Sequence, residues 1–315
     1  MTKRQHILVV VDPAAARQPV LERAARLAPA LGLDLRLFAC LHESLPVRRL
    51  GRDEERQVRT TLLDHQLGYL RDLARGYPAL AIETQVVWDR PFHEAIIRET
   101  LRSEPRLVMK DTHYHTPLER VLYTPTDWQL IRDCPVPLWL VSERAWPGHP
   151  VICAFVDPVH EHDKPAELDH RILAEATVLA ARLDGRVQAV HCCQAVFPGA
   201  GLPVADQVAA LAASIEHEHD ARLAELGATH GLSADAMQLR SGAAAELIPL
   251  VARESGASLA VLGAVARSRL QHAFIGSTAE RVLERLPCDV LVIKPARFES
   301  PVTWKAQAAD FMEVH

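Results

Sequence analysis

A chain of 315 residues has room for two ordinary domains or one large one. Hydrophobic residues at 49% against 24% charged give the balance of a globular protein with a full core, which excludes a disordered chain. A formal net charge of -5 argues against a duplex nucleic-acid binder, which needs a basic face, but leaves room for a local basic pocket.

The six cysteines show no CxxC spacing, so zinc-ribbon and thioredoxin readings fail. Residues Met1–His6 lead into only a short apolar stretch before Asp12, too brief for a signal-peptide core. No apolar run approaches the ~20 residues that span a bilayer. The expectation is a cytoplasmic, reducing location.

In chain order, the first strand is Ile7-Leu8-Val9-Val10-Val11, an apolar run stopped by Asp12-Pro13. Continuous apolarity fits a strand covered on both faces, and Asp-Pro marks the turn that leaves it. A helix over Pro19–Leu31 follows, then a strand over Asp34–Leu41 and a helix over Glu54–Arg75. Strand Ala81–Trp88, helix Pro91–Arg102 and strand Arg106–Lys110 come next, and a last helix and strand end at Val141. The order then repeats. Val151–Val156 stops at Asp157-Pro158 just as the first strand stops at Asp12-Pro13. Helix Ala166–Leu183, strand Arg186–Cys193, helix Val204–His230, strand Ala234–Arg240, helix Ala244–Glu254 and strand Ser258–Leu262 follow, and the closing strand is Asp289–Lys294.

Such self-similarity marks a tandem duplication, and strands alternating with helices mark a mainly parallel sheet. The expected domains are residues 1–145 and 149–296, joined by a short segment stiffened by Pro147 and Pro150, with a tail over 297–315. Phe298, Val302 and Trp304 could dock that tail; otherwise it frays.

Ligands of open parallel sheets bind beyond the carboxyl ends of strands, where strand order reverses. In the second half one such end is Asp157, and another is Leu262-Gly263. Gly263 removes a side chain where the backbone leaves the strand. Gly276-Ser277-Thr278 would open the last helix with free amides and two hydroxyls, an arrangement that attracts phosphate. Arg267 and Arg269 add positive charge between them. Asp157 would accept from a ribose hydroxyl or help position a magnesium ion. Against this stands the plain reading that both glycines are ordinary turn and cap residues, which wins for an isolated pair. The order of strand, glycine, basic loop, Gly-Ser-Thr, helix and strand favours the site.

That loop resembles the phosphate loop of the universal stress protein family: Gly, two residues, Gly, nine residues, Gly, then Ser or Thr. Here the positions are Gly263, Ala266, Gly276 and Ser277, with alanine replacing the second glycine. The stretches Gly276–Leu283 and Leu286–Pro295 are characteristic of the family, and the whole chain resembles its tandem-domain members. The resemblance implies two tandem adenine-nucleotide-alpha-hydrolase-like, Rossmann-like α/β domains, each a five-stranded parallel sheet flanked by helices. It also implies ATP, with or without magnesium, in the second domain only. Adenine would pass near Asp157 and Cys192, and phosphates would meet Gly263, Gly276, Ser277 and Thr278, with Leu262 and Ala266 also in the binding site. Domains of this family pair through their last strands, so an intramolecular pair and a homodimer are both implied.

In the first half Asp111 stands for Gly263, Tyr114 for Ala266, Thr124 for Gly276 and Pro125 for Ser277. Charge, bulk and a lost backbone donor all oppose a phosphate there. This copy is expected to serve structure or an unidentified protein partner. The leading function is a stress-response regulator that binds ATP. The alternatives are a protein for an apolar, lipid-like or other non-nucleotide ligand, a scaffold, or a slow ATPase. No Ser/His/Asp triad or convincing water-activating base is present, so a binding protein is favoured over an enzyme.

Three His-x-His pairs remain: His113/His115, His160/His162 and His217/His219. The last falls on a helix, where residues two apart diverge, and loop solvation explains the others without further ligands. Cys192-Cys193 point to opposite faces of a strand, which favours packing over redox chemistry.

Overall fold

A computed structural model describes residues 5–41, 51–114, 121–159, 166–194, 205–264, 277–304 and 312–314. The chain divides into two compact units. One comprises Met1–His113, Tyr123–Glu143 and Phe298–His315; the other comprises Tyr114–Leu122 and Arg144–Arg297.

The first unit begins with β1 (His6–Val10), buried along its whole length. Helix α1 (Pro19–Leu31) starts on a proline, whose missing N–H costs nothing at a helix start, and ends on Gly32 at φ 68°. Strand β2 (Asp34–Leu41), α2 (Arg52–Arg75), β3 (Ile82–Trp88), α3 (Phe92–Ser103) and β4 (Leu107–Asp111) follow. Two short strands, β5 (His113–Tyr114) and β6 (Val121–Leu122), form a separate ribbon before α4 (Pro125–Asp133) and β7 (Leu138–Val141). The strands of the first unit's parallel sheet run β7-β4-β1-β2-β3. Ile7 lies beside Leu35 on one flank and Leu107 on the other, so the first strand sits inside the sheet.

The second unit repeats the plan. Strand β8 (Val151–Val156), α5 (Ala166–Leu183), β9 (Arg186–Cys193), α6 (Ala205–Thr229), β10 (Met237–Ser241), α7 (Ala244–Glu254), β11 (Leu259–Gly263), α8 (Ser277–Leu283) and β12 (Asp289–Ile293) succeed one another. Its sheet runs β10-β9-β8-β11-β12, every pair parallel. The duplicated α/β architecture expected from the sequence is therefore present, with five parallel strands in each unit.

Several details were not in the sequence reading, the β5–β6 ribbon among them. Residues Ala234–Ala236, expected in a strand, form a 3-10 turn, and β10 starts only at Met237. In the tail, β13 (Met312–Val314) pairs antiparallel with β3, Met312 opposite Trp88, which makes the first sheet mixed. Trp304, a candidate dock for the tail, is 47% exposed. Among the described residues no helix is long and apolar enough to cross a membrane.

The turn from α5 into β9 is a tight backbone passage of the second unit. A Cβ on Gly185 would lie 2.4 Å from the carbonyl oxygen of Pro150, the same oxygen that accepts the Arg186 N–H at 3.0 Å. Because that oxygen is backbone, it cannot rotate away. Gly185→Ala is expected to cost about 1–3 kcal/mol in urea unfolding. The control Gly148→Ala, with no atom within 4 Å of its new methyl, should stay within about 0.5 kcal/mol of the parent.

Candidate functional site

In the second unit the first strand, β8, is flanked by β9 and β11. The chain therefore leaves β8 toward one side of the sheet and returns on the other through β11. This is the topological switch point at which open α/β sheets hold ligands. Asp157 stands just past the carboxyl end of β8, Gly263 ends β11, Cys192 lies near the end of β9, and α8 opens at Ser277. Sequence reasoning thus brought Asp157, Cys192, Leu262 and Gly263 to one end of the sheet. Ala266, Gly276, Arg267, Arg269 and the His160/His162 pair lie outside the described residues.

The backbone of Asp157 is held from beneath. Its N–H donates to Oδ1 of Asp169 on α5 at 3.1 Å, and Asp169 is buried. Beside it, the carbonyl of Val156 accepts from Nδ1 of His191 at 3.0 Å, and Nε2 of the same ring meets Nδ1 of His219 on α6 at 2.7 Å. A carbonyl only accepts, so His191 carries its proton on Nδ1; with a neutral His191, His219 is the donor between the rings. Both imidazoles are buried and stacked 5.0 Å apart. His219 and His217 do diverge on their helix, the former buried and the latter exposed. What the sequence did not reveal is the partner. His191 interrupts an apolar strand run, the one signal that it bonds inside the fold.

Gly263 has a packing reason as well as a positional one. A Cβ there would come within 2.8 Å of Leu168 Cδ2 and 3.1 Å of Ile172 Cδ1, both on α5. The missing side chain lets α5 sit close on β11, whereas the sequence reading assigned the space to a ligand. Burial pushes the Cys192 thiol up to about 11, and Arg240 opposes the shift only weakly. It is a neutral packing group at ordinary pH, consistent with the non-redox reading.

A cavity of about 340 Å³ opens beside the exit of β8, between Pro158, Asp169 and His170 on one side and Arg222, Glu225 and Thr229 on the other. Asp157, Cys192 and Gly263 do not line it. At its rim His170 Nδ1 and His230 Nε2 are 3.0 Å apart. Burial, then the neighbouring His170, lowers the His230 pKa. Among the described residues no group of three or more His, Cys, Asp or Glu side chains could hold a metal ion.

The corresponding end of the first unit is built differently. Thr124 caps α4, its Oγ1 accepting the Asp127 N–H at 3.2 Å, while its own N–H donates to Asp127 Oδ2 at 2.7 Å. Asp127 is fully buried and pairs with Lys110 Nζ at 2.9 Å. Pro125 occupies the first turn and offers no N–H. This helix start is occupied by an internal carboxylate, itself neutralised by an internal lysine.

Two outcomes follow from this geometry. Gly263→Ala should destabilise the second unit by about 1–3 kcal/mol. Adding Leu168→Ala should give a double variant more stable than the sum of the single effects by about 0.5–3 kcal/mol in a double-mutant cycle. For Cys192, iodoacetamide labelling at pH 8 read by peptide mass spectrometry should run about 100-fold slower in the folded chain than in urea, as its thiolate fraction falls.

Comparison with known proteins agrees with this duplicated fold. The profile described as "Universal stress protein family" matches residues 3–142 and 163–294, one match in each half. Universal stress protein E of Escherichia coli K12 is 32% identical over 312 residues, covering 96% of this chain and 98% of the relative. The universal stress protein E homolog of Haemophilus influenzae is 29% identical over 310 residues, covering 94% and 99%. Among solved structures, a putative universal stress protein from Pseudomonas aeruginosa UCBPP-PA14 superposes with TM-score 0.71 at 27% identity, covering 93% of this chain and 94% of its own. A functionally unknown protein from P. aeruginosa PAO1 matches with the same TM-score at 26% identity, covering 93% of both chains. With a family match in each half and a full-length relative above 30% identity, the chain belongs to the universal stress protein family.

Proposed function

We propose that the second unit binds ATP, one molecule per chain, and that its occupancy tunes the protein's shape or choice of protein partner during stress. The observation that carries this reading is the switch point between β8 and β11, which brings Asp157 and Gly263 to the same end of the sheet. The start of α8 at Ser277, directly after Gly276, adds support, since the phosphate loop needs its final glycine to deliver the chain into a helix. Adenosine would lie toward Asp157 and Cys192, with the phosphates toward Gly263, Ala266, Gly276, Ser277 and Thr278. Asp157 would serve the ribose or a magnesium ion accompanying the phosphates. The role is binding rather than turnover. The first unit, whose helix start is closed by its own carboxylate, acts in support or in partner contact.

Protein purified gently from cells should carry adenine nucleotide detectable by mass spectrometry. After stripping, calorimetry should show one ATP per chain bound at micromolar affinity or tighter. Gly276→Val should weaken that binding at least about tenfold, since a branched side chain blocks the backbone approach to phosphate. ATP binding that is absent, or indifferent to Gly276→Val and Asp157→Ala together, overturns the reading.

A further inference from the structure

The second unit carries a contact that the nucleotide reading does not use. His170 stands exposed on α5, and His230 follows the last residue of α6, half-buried. Nδ1 of the first and Nε2 of the second lie 3.0 Å apart, with the ring centroids 5.2 Å apart. The rings therefore meet nearly end to end, their lone pairs aimed at each other and not at a third atom. That geometry suits one proton held between two nitrogens better than a metal ion held by both. The turn beyond α6 fixes the presentation of the second ring: the N–H groups of His230 and Leu232 both donate to Gly227 O at 3.0 Å, and Gly231 takes φ 69°. The contact thus ties the end of α6 to α5, beside the cavity lined by His170, Arg222, Glu225 and Thr229.

Proton count decides when it holds. A ring nitrogen accepts only while it is bare, so a bridge between two imidazoles needs at least one of them neutral. A first added proton leaves the bridge in place, since the charged ring donates to the neutral one, and the carboxyl end of α6 favours one positive charge beside it. A second proton sets N–H against N–H and charge against charge. Neither ring is enclosed, so each can then turn into water. The charged groups lining the same cavity are Asp169 from α5 and Arg222 and Glu225 from α6. Asp169 accepts the Asp157 N–H, Arg222 pairs with Glu225 at 3.4 Å, and Glu167, one turn before His170, is exposed. Burial first, and then His170, hold the His230 pKa below its ordinary value, so these acids do not outweigh the facing ring. The folded chain therefore binds fewer protons here than the unfolded one. This part of its stability is whole above about pH 6.5 and is lost as the pH falls through the lowered value.

We propose that the His170–His230 bridge is an acid-released clasp: near neutral pH it fastens the end of α6 to α5, and once both rings carry a proton that end parts from α5 and the cavity beside it widens. This does not depend on ATP binding in the second unit.

Hydrogen exchange of the full chain, read by mass spectrometry at about pH 7.5 and about pH 5 and corrected for intrinsic rates, follows the clasp directly. Peptides over residues 226–232 should lose about tenfold in protection at the lower pH, while those over α1 keep theirs. Two variants put an amide, which donates or accepts at either pH, in place of each contacting nitrogen: His230→Gln for Nε2 and His170→Asn for Nδ1. In either, the acid-induced loss over 226–232 should shrink to less than about twofold. The His191–His219 contact, about three turns earlier on α6, is kept in both variants, so a loss that begins there persists in them. In His170→Asn the His230 pKa, followed by NMR of its ring, should also rise, because the facing imidazole no longer opposes its charge. Protection that does not change with pH, a loss shared equally by α1, a loss undiminished in whichever variant folds, or a His230 pKa unmoved by His170→Asn overturns the proposal.

Discussion

The parallel pairing of each unit's first strand with its fourth is the constraint on which the other features rest. In the second unit Leu259, Ala260 and Val261 line up with Ile152, Cys153 and Ala154, although most of the unit lies between them in sequence. In the first, Ile7–Val10 line up with Leu107–Lys110. Such contacts come late and cost loop-closure entropy, so burial must hold them: the paired residues are almost wholly apolar and buried. Once that pairing is made, the ends of strands one and four lie side by side. The loops that follow both strands therefore start from one place.

The two units differ in sequence at that place. In the first, the helix after strand four begins with Thr124, Pro125 and Asp127, and its polar start is satisfied from within. The Lys110–Asp127 pair illustrates why this is hard to reverse. A buried ion pair adds little net stability beyond its desolvation cost, yet removing one partner strands the other charge. In the second unit there is no such acid at the equivalent position: Ala279 stands where Asp127 stands, and Thr278 where Thr126 does. Duplication supplied two copies of one frame, and the chemistry diverged in a handful of loop and cap residues while the strands kept their order.

Much of this was legible because parallel strands buried on both faces read as unbroken apolar runs. Asp34–Leu41 and Arg186–Cys193 coincide with β2 and β9, and Pro19–Leu31, Ala166–Leu183 and Ala244–Glu254 with their helices. The Gly-Ser-Thr stretch was read as a helix start from local chemistry alone, and α8 begins there. The partnerships were not legible. Nothing local says that Lys110, in an apolar strand, meets Asp127, or that His191 meets His219, because such contacts are decided by tertiary packing. Gly263 was understood by half: its position at the strand end was visible, but Leu168 and Ile172, which fill the direction of its missing side chain, belong to a distant helix. β13 escaped for a similar reason, since three residues of strand carry no periodicity to detect.

That small strand has a consequence for how the molecule survives at high concentration. A terminal strand of a sheet presents a row of unpaired peptide groups and invites another chain to add itself. In the second sheet, β10 meets this hazard by composition: Gln238 and Arg240 break up its apolar character, and its residues are half-exposed rather than buried. β3 cannot do so, because Val86, Val87 and Trp88 are buried core residues. The chain instead pairs its own last residues along that row, Met312–Val314 against Val86–Trp88. β13 thus covers that part of the edge of β3, and a chain shortened before Met312 would expose an apolar row there.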